Sequence, residues 1–129
     1  MKTPSKDVKV VRDLAKQVAE IATSPEMEAS RKRWRDVNAL RRPDRAPVWC
    51  KPVGAWKEIL PESSLLCADR RLRSIERAFR ADLIKRGIGD DSVIEPFFRV
   101  SPRIVTEPAN NWGVEPTKLK PTEADGAWK

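Results

Sequence analysis

Two stretches of the sequence repeat apolar side chains at helical spacing, and this repeat constrains the fold more than any other feature. The apolar positions are Val8, Val11, Leu14, Ala15, Val18, Ile21 and Ala22 in residues 5–22, and Leu72, Ile75, Phe79 and Leu83 in residues 70–86. Both patterns predict amphipathic helices. Asp69 is suited to cap the second helix and Gly87 to end it.

A further helix is predicted directly after the first. Thr23-Ser24-Pro25-Glu26 combines a hydroxyl cap, a proline tolerated in the first turn and an acid near the positive helix end. The helix should run to about residue 41, where Pro43 disfavours helical geometry in the residue before it. Its expected apolar face consists of Met27, Trp34, Val37 and Leu40.

Proline limits the rest of the chain to short elements. Residues 46–50 combine a β-branched and an aromatic side chain and predict a strand of about four residues between Pro47 and Pro52. Residues 54–60 predict one helical turn and residues 61–64 a loop. Residues 92–100 and 103–106 are two further candidate strands, weakened by Pro96 and Pro102. From Glu107 onward the sequence has no periodicity.

Composition excludes several kinds of site. The 129 residues contain no histidine, so this chain cannot supply a Ser-His-Asp triad, a Cys-His pair or an imidazole metal ligand. Cys50 and Cys67 fit no disulfide framework or metal spacing, and buried or idle thiols in a reducing compartment are the favoured interpretation. Burial is favoured over a role as ligands or nucleophiles, since no base or metal partner lies nearby in the sequence. No apolar run is long enough to span a membrane and no signal-peptide core is seen, so a cytoplasmic location is expected.

The net charge of +7 is concentrated in residues 31–45 and 70–86, each with seven basic and two acidic residues. Nucleic-acid binding by the row Arg70, Arg73, Arg77 and Arg80 is one interpretation. A solvated helix face neutralised by its own acids is favoured over it, with the pairs Asp69–Arg73, Glu76–Arg80 and Asp82–Arg86 at helical spacing. Trp34 is assigned to the core, and Asp90-Asp91 to a turn or cap in preference to a divalent-cation site.

Several patches of the sequence carry a family resemblance when they are taken together. The patches are Glu20-Ile21-Ala22, Pro25, Arg33-Trp34, Asn38-Ala39-Leu40, Arg45-Ala46-Pro47-Val48, residues 56–63, Leu66-Cys67-Ala68-Asp69, residues 72–80, residues 90–96, residues 111–115 and Gly126-Ala127-Trp128. They resemble the opening of proteins of the uroporphyrinogen-decarboxylase-like and corrinoid methyltransferase-like superfamily. They span nearly the whole chain, although none is a catalytic motif.

This resemblance implies an α/β fold, namely the incomplete N-terminal part of a TIM (β/α)8 barrel with two leading helices, a short strand and a further helix. Residues 1–45 would form the helical pair, 46–106 the first strand-helix unit and following strands, and 107–129 an irregular, truncated tail. A complete barrel needs about 250 residues, so we expect an N-terminal fragment that is inactive alone. Its expected partners are the remainder of the barrel, a corrinoid protein or a second copy of the chain. The alternative function is a small basic nucleic-acid-binding or protein-interaction module.

The resemblance also implies corrinoid and zinc as cofactors of a complete protein, with none held by this chain. Decarboxylases of the superfamily place an Arg-Gln-Ala-Gly-Arg type of motif after the first strand, whereas Lys51-Pro52-Val53-Gly54-Ala55-Trp56 stands here. Both arginines are missing, which argues against a polycarboxylate substrate. Lys51 is the single candidate for a substrate or anion contact, because it follows the expected strand, and a structural or solvent role is favoured over that. No metal ligand and no catalytic residue is assigned.

Overall fold

A computed structural model describes residues 5–99, Gly113 and Thr117. The regular elements in chain order are α1 (Lys6–Ala22), α2 (Pro25–Asn38), α3 (Trp56–Ile59), a 3-10 turn (Glu62–Ser64) and α4 (Arg70–Ile88). The chain divides into two compact units, Met1–Phe98 and Arg99–Lys129, and the helices all belong to the first. None of these helices is both long and apolar enough to cross a bilayer.

The predicted α/β barrel fragment is wrong, since every regular element within residues 5–99 is helical and that range contains no strand. Residues 46–50 and 92–99 are irregular segments. The candidate strand at residues 103–106 and most of the tail from Glu107 lie outside the described residues.

The physical reason for the missing strand is visible in the hydrogen bonds of residues 46–50. The backbone N–H groups of Val48 and Cys50 donate to the carboxylates of Asp91 and Asp90, at 2.8 and 2.7 Å. Pro47 has no N–H to donate. Since side chains accept these donors, a neighbouring strand is not needed to satisfy the segment, and it stays an extended loop.

The core forms where α1 packs against α4. Its buried members are Leu14, Val18, Ala22, Met27, Phe79 and Ile94. The apolar stripes read from the sequence supply most of this cluster, and Val11, Ala15, Ile21, Ile75 and Leu83 pack around it. The predicted apolar faces of α1 and α4 are thus confirmed. The two faces pack against each other, which removes apolar surface from water.

Side chains of the predicted type begin each long helix. Ser5 accepts a hydrogen bond from the N–H of Val8 in α1, and Ser24 accepts one from Met27 in α2. Asp69 accepts from both Arg71 and Leu72, at 2.9 Å each, and confirms the predicted start of α4. These oxygens satisfy N–H groups that have no partner within the helix.

The ends of two helices differ from the sequence-based expectation. α4 continues through Gly87 to Ile88 and is capped by Gly89, whose φ of 76° is the left-handed conformation that glycine adopts without steric cost. α2 ends at Asn38, about three residues early. There Leu40 takes up the left-handed position with φ of 55° and is 97% exposed.

Leu40 closes α2 in a Schellman-type motif. The N–H of Leu40 donates to the carbonyl of Val37, and the N–H of Arg41 donates to that of Asp36 at 2.7 Å. A leucine in the left-handed region carries a steric cost of about 1–2 kcal/mol, and here its side chain gains no burial in return. Leu40 therefore does not contribute to the core, contrary to its predicted place on the apolar face of α2.

We expect Leu40→Gly to raise the free energy of unfolding by about 1 kcal/mol, because glycine removes the left-handed cost while both capping hydrogen bonds remain. Urea denaturation followed by circular dichroism measures the change. Leu40→Ala is the matched control, since it removes the same exposed side chain but keeps a Cβ. Equal stabilisation by the two variants would contradict this account.

Candidate binding groove and its buried carboxylates

Asp91 joins three separate parts of the chain through its carboxylate. The side chain is 1% exposed and accepts hydrogen bonds from Arg33 at 2.9 Å and from Arg45 at 2.6 and 2.9 Å. Ser30 in α2 and the N–H of Val48 donate to the same group, at 3.2 and 2.8 Å. The lone pairs of this buried carboxylate are therefore well satisfied, as a buried charge requires.

The backbone of Asp91 extends the same network. Its N–H donates to the carbonyl of Val48 at 2.7 Å, and its carbonyl accepts the indole N–H of Trp34 at 2.7 Å. Trp34 is half-buried, so its predicted inward orientation is only partly confirmed. The hydrogen bond fixes the indole of α2 beside the segment that follows α4.

Asp90, the preceding residue, has a similar role. It accepts from the N–H groups of Cys50 and Ser92, at 2.7 and 3.0 Å, and forms an ion pair with Lys85 of α4. Burial alone would raise the pKa of Asp90, but these donors outweigh burial and the pKa is lowered. Because cations and N–H groups of the chain satisfy both acids, the structural interpretation of Asp90-Asp91 is supported.

Glu76 of α4 fixes the backbone of the loop that precedes α4. It has no exposed surface and accepts from the N–H groups of Leu66 and Cys67, at 2.9 and 2.8 Å, and from Arg80 at 2.8 Å. On α1, Asp7 accepts from the N–H groups of Ala68 and Asp69, at 2.8 Å each. The loop that precedes α4 is therefore held by one acid from each of the two long helices.

The two thiols differ in their environments. Cys67 is fully buried, and burial together with its hydrogen bond to Glu76 raises the pKa of the thiol to about 11. A thiol of that pKa remains protonated at neutral pH and is a poor nucleophile or metal ligand. Cys50 is exposed, which contradicts the expectation of burial for that residue.

The arginine row of α4 is mostly engaged within the protein. Arg73 donates to the carbonyls of Glu62 and Cys67, at 2.6 and 2.8 Å, and Arg77 pairs with Glu62. Glu76–Arg80 is the one predicted acid–arginine pair that forms among the described residues. Hydrogen bonds to carbonyls fix a guanidinium in place, so this row is less available for phosphate than its sequence suggested.

The basic cluster of residues 31–45 is used in a comparable way. Arg31 donates to the carbonyls of Ala22 and Ile94, at 2.9 Å each, and thereby ties α2 to the end of α1 and to the segment after α4. Arg33 and Arg45 hold the Asp91 carboxylate. These cations stabilise the fold, which accounts for much of the positive charge without a nucleic-acid partner.

Lys51, the sequence-based candidate for an anion contact, lies on the exposed loop that follows residues 46–50. Its Nζ lies 5.7 Å from the centroid of the Trp49 ring. That distance is within the range of a cation–π contact. The structure therefore places Lys51 with an aromatic ring, and does not bring it together with the arginines of the Asp91 network.

A groove of about 430 Å³ opens beside the Asp91 network. It is lined by Trp34, Trp49, Asp82, Lys85, Asp91, Ser92, Val93 and Ile94. The volume lies in the range of small-ligand sites, and indole and aliphatic side chains supply a large part of the wall. Sequence reasoning missed this groove because its members come from α2, α4 and two loops that only the Asp90 and Asp91 contacts bring together.

Asp82 is the unusual member of this lining. Within residues 5–99, Lys85 and Asp91 have charged partners, whereas Asp82 has no hydrogen bond or ion pair. Its predicted partner Arg86 instead lies 3.6 Å from Glu26 of α2. Burial raises the pKa of the Asp82 carboxyl. Helical spacing between an acid and an arginine is a weak predictor of an ion pair, because tertiary contacts decide which acid lies near the arginine.

The acids of the two carboxylate networks are engaged in holding the fold. The buried acids Glu76, Asp90 and Asp91 are held ionised by donors, and no group of three or more potential metal ligands is found within that part of the chain. A general acid or base needs a pKa near the working pH and access to substrate. The donors around Glu76, Asp90 and Asp91 outweigh burial and lower these pKa values, away from neutral pH.

Comparison with protein-family models, with curated proteins and with solved structures found no match to this chain.

We expect Asp91→Asn to lower the free energy of unfolding by about 3 kcal/mol, because it leaves two guanidinium groups beside a neutral amide. Urea denaturation measures the loss. Asp44→Asn is a matched control, since Asp44 also pairs with Arg33 but is 62% exposed, and exposed pairs contribute about 1 kcal/mol or less. Similar losses in both variants would show that the Asp91 network is not the dominant contact.

Stability should also depend on acid pH. The pKa values of Glu76 and Asp91 are about 2, below the ordinary values of 4.5 and 3.8, because hydrogen bonds outweigh the opposing effect of burial. A carboxyl group whose pKa is lower in the folded than in the unfolded protein stabilises the fold at pH values above its unfolded-state pKa. That contribution is lost as the pH falls from about 4.5 to 2. The urea concentration at the midpoint of unfolding should therefore decrease as the pH is lowered across this range.

Glu76→Gln isolates one of these two contributions. Glutamine does not titrate, so the variant should be less stable at neutral pH and should show a shallower loss of stability between pH 4.5 and 2. An unchanged slope in this variant would contradict the lowered pKa of Glu76.

Proposed function

We propose that this chain acts as a non-catalytic protein-interaction module, of the kind that would form the N-terminal helical region of a uroporphyrinogen-decarboxylase-like, corrinoid-dependent methyltransferase-type protein. Its partner would be the remaining, catalytic region of such a protein, which would supply the corrinoid and zinc chemistry. A cytoplasmic location belongs to the proposal and is supported by the unpaired state of Cys50 and Cys67.

The observation that carries this proposal is an exposed apolar surface on a fixed backbone. We define the 48–53 surface by Val48, Trp49 and Val53, which are 58%, 61% and 76% exposed. The backbone on both sides of Trp49 is held in place, because Asp91 and Asp90 accept hydrogen bonds from the N–H groups of Val48 and Cys50. Tryptophan and adjacent aliphatic groups presented in a fixed geometry are typical of the anchors of protein interfaces.

The placement of the resemblance patches also supports the proposal. Arg33-Trp34, Arg45-Ala46-Pro47-Val48 and Asp90-Asp91 are distant in sequence, yet all three meet at Asp91. Residues whose side chains contact one another in this way are expected to stabilise the fold. The resemblance therefore points to a shared structural region, which agrees with the lack of catalytic groups in the two carboxylate networks.

Photo-crosslinking tests the proposal directly. A benzoylphenylalanine at position 49 should give one defined adduct of higher mass in the native cell, because the 48–53 surface would lie against its partner. The same probe at Arg12, on the exposed face of α1, is the matched control and should give no such adduct.

The identity of the adduct separates the alternatives. Mass spectrometry should identify a protein that carries the catalytic region of the superfamily. A covalent dimer of this chain would replace the proposal by self-association, and the absence of any adduct specific to position 49 would reject the docking surface.

A further inference from the structure

The groove beside Asp91 has a lining whose charge and shape select for a particular class of ligand. Trp34, Trp49, Val93 and Ile94 supply aromatic and aliphatic wall. Indole faces carry negative electrostatic potential and attract cations that lie within about 6 Å of the ring. The Nζ of Lys51 lies 5.7 Å from the centroid of the Trp49 ring, within this range.

The carboxylate of Asp82 adds an unbalanced negative charge to that wall. Of the three charged residues in the lining, Lys85 is paired with Asp90, and Asp91 is held by Arg33 and Arg45. Asp82 has no such partner within residues 5–99. The net charge of +7 does not cancel this local preference, because salt screens charges beyond about 8 Å at physiological ionic strength.

A carboxylate in a partly desolvated groove requires a donor. An anionic ligand would meet both Asp82 and the faces of two indoles, and a neutral apolar ligand would leave the acid without a partner. A cation with N–H groups would form a charge-assisted hydrogen bond with the acid and a cation–π contact with an indole.

We propose that this groove binds an organic cation that has N–H donors and an apolar body, namely an alkylammonium or guanidinium group held between Asp82 and the indoles of Trp34 and Trp49. This inference does not depend on the proposed docking function. The cation has two potential sources, a free amine or a basic side chain of a bound protein, and the ligands chosen below distinguish them.

The experiment compares ligands of matched shape by isothermal titration calorimetry. Phenethylammonium is the cationic probe, 2-phenylethanol its neutral analogue and 3-phenylpropionate its anionic analogue. Phenethylammonium should bind about tenfold more tightly than the alcohol, because it alone adds a cation–π contact and a charged hydrogen bond. The propionate should bind more weakly than either.

Amide NMR of the same samples locates the site. The indole N–H signals of Trp34 and Trp49 should shift with the cationic probe, whereas that of Trp56, which lies in a separate pocket with Leu60 and Arg77, should not. N-acetyl-arginine amide represents a protein side chain. If it binds more tightly than phenethylammonium, the source is a partner protein, and the reverse order indicates a free amine.

Asp82→Asn should reduce the affinity for phenethylammonium about tenfold and leave the affinity for 2-phenylethanol unchanged, since only the charge is removed. Asp13→Asn, at an exposed acid of α1, is the matched control and should change neither. The variant should remain folded because burial disfavours the charged form of Asp82. Equal affinities for the cation and the alcohol, or a cation affinity that survives Asp82→Asn, would overturn the proposal.

Discussion

The Asp91 carboxylate lies where α2, the 42–50 segment and the chain after α4 come together. A buried carboxylate is unfavourable unless donors surround it, and here Arg33, Arg45 and the N–H of Val48 provide them at 2.6 to 2.9 Å. The loop geometry depends on this group, because a segment with two prolines and no strand partner has few other means of satisfying its backbone. Glu76 performs the same task for the loop before α4.

This arrangement uses several arginines of residues 31–45 and 70–86 to hold the fold. Arg31, Arg73 and Arg77 hold backbone carbonyls at the ends of helices and in loops. Such contacts connect segments that share little apolar surface, so the arginines replace some of the core that a larger domain would have. The main apolar cluster lies at the contact between α1 and α4, and Leu60, Leu65 and Cys67 are buried outside it.

The same contacts create surfaces that suit recognition. By fixing the backbone of residues 48 and 50, Asp90 and Asp91 present Trp49 to solvent on one side and to the groove on the other. Preorganised groups lose little conformational freedom on binding, which favours affinity. A groove lined by two indoles and by Asp82, which has no ion pair within residues 5–99, is suited to hold a cation. The neighbouring acids, whose hydrogen bonds are satisfied, maintain the shape of the groove.

The sequence by itself determined the positions of the long helices, the side chains that cap the starts of α2 and α4, and the faces that α1 and α4 bury, because helical spacing and capping are set by residues within four positions of one another. It also excluded imidazole chemistry. Only the tertiary structure decided that residues 46–50 form a loop, that Cys50 is exposed and Cys67 buried, and which acids meet which arginines. Those outcomes depend on contacts between residues about 40 to 60 positions apart, such as Val48 with Asp91 and Arg33 with Asp91, and local spacing carries no information about them.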